Sequence, residues 1–412
     1  AKIKKYNSEL ASATHGDLWG ERSEKYVALQ TLKLAGPMFP KFESPKPLHL
    51  FVKRDYSLHE VYNDGFLITE FMPINSVGVV TARDKFTIDR GKETLWQRIR
   101  AFVQMDDESA RDAFSLGSDV KDWTVVGARE DIGIPDEKFL AKVSYRPFDD
   151  RWTYYTGTSR GFLCRPRWEV MRHMFEPGNF ALAISRQNKG GHGFKHVFCH
   201  HNISESSLVS NKTSEISSTL PLYLAGQDLD QTSRINFAPN LYNRIKDLSI
   251  GPGRVAADEV QVFDYIYGVL HCPGYRNNFA EFLAMNYPRI PWPKTSKEFW
   301  NISNKGAQLR GLHLMQAESI GHVKKSFSGK GDNFVGKTRF SEGRVWINDQ
   351  QYFDEVSEVS WTLSIGAYQP AQKWLKDQKG KELSSNDIVH YQKILKVLSE
   401  TSRIMNSIEM QF

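Results

Sequence analysis

The sequence predicts a mixed α+β fold, with a β-rich middle and helices at its periphery and C-terminus. Three observations carry that expectation. Short runs rich in β-branched and aromatic residues crowd residues 48 to 224, as strands require. Further along, Val260, Phe263, Ile266, Tyr267, Leu270 and Phe282 recur near the 3.6-residue spacing of a helix face. Finally, 412 residues of which 40% are hydrophobic and 25% charged can bury a sizeable core, and this length fits two or three domains.

In chain order, residues 8–34 read as a polar helical stretch, closed by the breaker run GPMFPKFESPKP, which sets a boundary near residue 45. Strands are expected at PLHLFV, GFLITEFMPI and VGVVTA, then a helix over 92–116. After KVSYRPFDDRWTYYTG we expect a hairpin, a short helix through RPRWEVMRHMF, and apolar strands at FALAIS, KHVFCH and STLPLYL. Residues 258–284 read helical with an interruption at Pro273 and Gly274, and YPRIPWP ends that element. A helix around 306–315, a strand stretch at RVWINDQQYF and a helix from 385 to about 408 complete the chain. The expected division is a helical connection (1–45), a core (46–295) and a C-terminal α/β subdomain (296–412).

Several function classes find no support. No apolar run reaches the roughly 18–20 residues of a membrane span, and AKIKKYNSEL lacks the apolar stretch of a secretory signal, so the cytoplasm is expected. Cys164, Cys199 and Cys272 are too few and too scattered for a disulfide framework or a four-thiolate zinc site. The chain opens on Ala1, which fits a segment cut from a longer polypeptide. Hydrolase, zinc-protease and dinucleotide-binding motifs do not occur. Gly331, Gly336, Lys337 and Thr338 in GDNFVGKT match a phosphate-loop pattern letter for letter, yet KKSFSGK before them is no buried strand and RFSEGRVWIN after them reads as turn and strand rather than helix. His196, Cys199, His200 and His201 offer four potential metal ligands, but adjacent His200 and His201 point to opposite faces of a strand. The reading preferred for them is an edge strand whose histidines face solvent or nucleic acid, and no metal is expected.

Charge is concentrated. Residues 151–201 hold eight Lys/Arg (Arg151, Arg160, Arg165, Arg167, Arg172, Arg186, Lys189 and Lys195) against Glu169 and Glu176, a local +6 that equals the net charge of the whole chain. Five of the twelve histidines fall here too. Arginines set among Phe162, Trp168 and Phe175 suit phosphates and the O6/N7 edge of guanine. The competing reading is a solvated basic face with internal ion pairs, such as Arg151 with Asp149 or Asp150.

Resemblance tips that balance towards DNA. YRPFDDRWTYYTGTSRGFLCRPRWEVMRHM, IGAYQPAQKWLKDQKGKELSSNDIVHYQKIL and NSVGVVTARDKF resemble the C-terminal specificity domain of type ISP restriction–modification enzymes, over residues 17–409. THGDLWGERSEKYVAL resembles the passage from methyltransferase to recognition domain. FDYIYGVLHCPGYRNNFAEFLAMNYPRIPWP is similar to a segment of recognition domains in related adenine methyltransferases. The resemblance implies double-stranded DNA as partner, together with methyltransferase and coupler domains of the same parent polypeptide. That parent would be an N6-adenine methyltransferase with ATP-dependent restriction activity, using S-adenosylmethionine, ATP and Mg. This chain is expected to hold no cofactor and to catalyse nothing, because the Asn/Asp-Pro-Pro-Tyr/Phe loop that holds an extruded adenine does not occur; NYPR at 286–289 is not one. Expected DNA-binding residues are Arg160, Arg165, Arg186 and Gln187 as base readers and Lys189 and Lys195 on phosphate, with Arg167 and Arg172 on the short helix pointing about 140° apart. The alternatives are a nucleotide-binding enzyme using GDNFVGKT and a protein-docking platform.

Overall fold

The computed structural model describes residues 12–33, 38–42, 58–188, 193–212, 215–226, 232–323 and 326–412. It comprises two units, 1–59 and 60–412. In the first, Ala13–Thr14 pairs antiparallel with Lys41–Phe42, and a helix covers Arg22–Thr31. That helix starts later than the 8–34 expectation because Gly20, at φ 112°, takes a left-handed conformation just before it. The expected strand PLHLFV lies outside the described residues.

Two four-stranded sheets form the middle of the second unit. One runs Ile203–Ser204, Leu140–Arg146, Asp149–Tyr154, Ile88–Asp89, and the other Ser76–Val77, Ser217–Pro221, Ala181–Ser185, Val197–His200. The apolar strands fall where the pattern placed them. Ala181–Ser185 is buried at every position and lies between two neighbours, which is why it reads as a continuous apolar run rather than an alternation. The hairpin lies within KVSYRPFDDRWTYYTG, not after it: Leu140–Arg146 pairs with Asp149–Tyr154, and Phe148 turns the chain at φ 64°. GFLITEFMPI gives only the two-residue strand Phe66–Leu67, paired with Arg289–Ile290, before a helical turn at Ile68–Phe71. The helix expected over 92–116 is two, Lys92–Gln104 and Asp107–Ala113, because Asp106 accepts a hydrogen bond from the Ser109 N–H and starts a new one.

Helices Glu259–His271 and Ser296–His313 pack closely in this unit. A Cβ on Gly306 would fall on the Asp264 carbonyl oxygen and one on Gly268 would lie 2.6 Å from that of Ile302, so both glycines are needed for the approach. Arg310 then grips buried Asp264 through two N–H···O bonds of 2.6 and 3.0 Å. The second helix begins ten residues before the expected 306, where Thr295 caps the Glu298 N–H. Beyond it stand a small antiparallel sheet (Phe327–Ser328, Tyr352–Phe353, Arg344–Trp346, Arg339–Ser341) and the helix Ser385–Met405. No helix among the described residues is long and apolar enough to cross a membrane.

Candidate nucleic-acid interface

Strand Asp149–Tyr154 ends in a loop, residues 156–167, that is plugged into the core at its middle. Phe162, Leu163 and Cys164 are buried, while Arg160 and Arg165 on either side are exposed. Apolar burial of the plug anchors the loop, and hydrogen bonds fix its path. Val80 and Arg165 exchange backbone bonds of 2.9 and 3.0 Å, the Trp123 indole donates to the Phe162 carbonyl at 3.1 Å, and the Tyr155 hydroxyl donates to that of Pro166 at 3.0 Å. Asp131 accepts from the Thr156 hydroxyl and the Phe162 N–H, both at 2.8 Å. Arg160 and Arg167 sit in the left-handed region, at φ 61° and 57°, a conformation costing about 1–2 kcal/mol for a side-chain-bearing residue. The anchors on each side hold them there.

Arg160, Arg165 and Arg167 line one open cleft of about 420 Å³, with Asp122, Ser159 and Glu169. Arg165 donates to the Asp122 carboxylate at 2.8 Å, and the Arg160 Nε lies 3.8 Å from its other oxygen. The hydrogen bond from Arg165 holds the Asp122 carboxyl below the usual carboxylate range. Arg167 Nε is buried without a hydrogen-bond partner among the described residues. Trp168, next in sequence to Arg167, and Phe175 are each 49% exposed although both rest on Tyr155. That combination can take phosphate, base edges or an unstacked base.

The other expected residues are spread out. Arg167 is not on the short helix: it precedes Trp168–Met171, and Arg172 follows in a 3-10 turn, so the 140° argument does not apply. Arg172 is half-buried. Arg186 is exposed at the end of Ala181–Ser185 and donates to Asn286 at 3.1 Å; it and half-buried Gln187 do not line the cleft. Lys195 is half-buried, its carbonyl accepting from the Gly366 N–H at 2.7 Å. Lys189 lies outside the described residues. Arg151 braces the fold, 2.6 Å from Asp149 and 3.0 Å from Asp377.

Val197–His200 is an edge strand, but its histidines do not face outward. His196 is buried against Glu215 at 3.2 Å and His200 is buried with Nδ1 2.8 Å from the Asn202 carbonyl; only His201 is exposed. Among the described residues no three His, Cys, Asp or Glu side chains gather as a metal site would need. At GDNFVGKT, the Val335 and Gly336 N–H groups donate to the Lys381 and Ile347 carbonyls, and strand Arg339–Ser341 follows where a phosphate loop needs a helix. Asp122 and Asp131, which hold the cleft and its loop, escaped the sequence reading.

The fold is similar to that of DrdV in its complex with DNA (TM-score 0.69, 17% identity, 95% of this chain and 42% of that one). It is also similar to the type ISP restriction–modification enzyme LlaBIII bound to DNA (0.65, 15%, 91% and 26%) and to a nuclease-deletion mutant of the type ISP enzyme LlaGI with a DNA substrate mimic (0.62, 14%, 90% and 31%). The chain thus spans less than half the length of each. No curated protein matches the sequence. The family model described as the type ISP C-terminal specificity domain matches residues 70–407, most of the length, and the chain therefore belongs to that family.

Proposed function

We propose that this chain reads a DNA sequence for a longer restriction–modification polypeptide, and that the Arg160–Arg165–Arg167 cleft is its reading surface. The observation that carries this is the cleft itself: three guanidinium groups on a loop anchored to the core, in a family defined by specificity. The DNA in the complexes of DrdV, LlaBIII and LlaGI supports the same reading. Affinity would come from Lys/Arg contacts to phosphate and discrimination from base edges. Residues 1–45 would connect to a methyltransferase, 46–295 would contain the reading surface, and 296–412 would form a C-terminal α/β subdomain. The parent would supply adenine methylation and ATP-dependent restriction with S-adenosylmethionine, ATP and Mg, while this chain binds without catalysing.

Selection of duplexes from a random pool tests the proposal. The expected result is a consensus bound at least tenfold more tightly than its scrambled version, with no ATP binding. Recovery of no consensus, or a measurable ATP affinity lost in Lys337→Ala, would overturn it in favour of the nucleotide-binding alternative.

A further inference from the structure

The cleft contains two carboxylates, Asp122 and Glu169, where a plain phosphate clamp would have none, and Asp122 is the one bonded to Arg165. Asp122 is bonded to Arg165 at 2.8 Å, and its second oxygen stands 3.8 Å from Arg160 Nε, beyond hydrogen-bond length. That oxygen therefore retains acceptor capacity. The side chains of Arg165 and Asp122 are 49% and 35% exposed, and an ion pair so open to water adds little to folding. Its position nonetheless has two consequences for a ligand. A phosphate on Arg165 would have to approach Asp122, like charge against like. A base edge carries no such charge, and the carboxylate turns Arg165 into a pre-oriented donor beside a fixed acceptor.

We propose that Arg165 and Asp122 act together as a reader of one guanine–cytosine base pair, a step that rests on the DNA-reading function above. In the major groove this pair presents guanine N7 and O6 as acceptors and cytosine N4 as donor. Arg165 spends one of its five N–H groups on Asp122 and offers others to N7 and O6, while the free Asp122 oxygen accepts from N4. An adenine–thymine pair presents a donor, adenine N6, where the guanidinium needs an acceptor. Asp122 is thus a specificity-determining residue that lowers affinity for DNA in general while sharpening the choice of base.

The test measures binding of the full chain to its selected duplex, to the same duplex with each G·C exchanged for A·T or its guanine replaced by 7-deazaguanine, and to scrambled DNA. Wild type should lose about tenfold or more at one G·C position. Arg165→Ala and Asp122→Ala should both flatten the preference at that position. They should diverge on scrambled DNA, where Arg165→Ala weakens binding and Asp122→Ala, having lost a negative charge, strengthens it a few-fold. Loss of charge or of a structural brace would shift both DNAs without changing base choice, so the flattened preference at that one position is what separates a reading role from them. Asp122→Asn, which keeps the shape, decides the matter if Asp122→Ala does not fold. If wild type selects a site and the Asp122 variants keep its full preference, or weaken selected and scrambled DNA alike, the pair assignment is wrong. Absence of selective binding by wild type would instead remove the DNA-reading function, and this inference with it.

Discussion

Gly161→Ala should disable the loop without touching any charged residue. Gly161 is not in the left-handed region, so space is the constraint. An added Cβ would lie 2.2 Å from Asp131 Oδ2, 2.3 Å from Cγ and 2.6 Å from Cβ, too close for a rotation of the carboxylate alone to relieve. Asp131 must withdraw, releasing the Phe162 N–H and the Thr156 hydroxyl. The hydroxyl can turn to water. The Phe162 amide, in a part-buried segment, loses a charged acceptor, worth about 1.5–3 kcal/mol. With a modest overpacking penalty the loss of stability should be about 3 kcal/mol. Urea unfolding should show a lower midpoint at unchanged slope. Affinity for the selected duplex should fall at least tenfold, with little change on scrambled DNA. Asp131→Ala removes the same acceptor, so the double variant should be no worse than the poorer single variant. Neutral behaviour of Gly161→Ala, or additive losses in the double variant, would show that the Asp131 anchor does not hold the loop.

Binding should weaken with salt: if about five phosphates are neutralised, log K against log salt should slope near −4 to −5, and a flat response removes DNA as the partner. Lys337→Ala should leave unfolding and DNA binding within about 0.5 kcal/mol, since Lys337 is exposed and the neighbouring N–H groups are already used; a larger loss in either assay would show that Lys337 has a role its exposure does not explain. Acid should destabilise the fold. Burial pushes His173 and His200 down to about 4 and His313 to about 3, so the folded state stays neutral where unfolded histidines protonate near 6.5. The unfolded chain then binds more protons, and stability should fall as pH drops from about 6.5 towards 4, by up to about 1.4 kcal/mol per pH unit for each histidine. Denaturant midpoints that stay level across that window would contradict this.

Much of the scaffold was legible because its signals are local. Ala181–Ser185 is apolar at almost every position, and Glu259–His271 opens with a capping box of Asp258 and Gln261 before a periodic apolar face. GFLITEFMPI misled because β-branched and aromatic composition does not fix where a two-residue strand gives way to a helical turn. The arginines of the cleft were legible as a run of charge. Their geometry was not: Asp122 meets Arg165 across 43 residues, and Asp131 meets Phe162 across 31, contacts that only tertiary packing creates. The histidines failed for a related reason, since composition does not reveal that His196 and His200 are buried.

On this structure the cleft, rather than the neighbouring basic residues, is expected to read sequence. Competitive binding of Arg160→Ala, Arg165→Ala, Arg186→Ala and Lys195→Ala to the selected duplex and to scrambled DNA, each at two salt concentrations, separates the two possibilities. Arg160→Ala and Arg165→Ala should each cost about 1–3 kcal/mol on the selected duplex and relax preference at one position, whereas Lys195→Ala should weaken both DNAs alike and reduce the salt slope by about one. Arg186, engaged with Asn286 outside the cleft, is the internal comparison. Equal losses on both DNAs for Arg160→Ala and Arg165→Ala, with base preference intact, would place the reading of sequence outside the cleft.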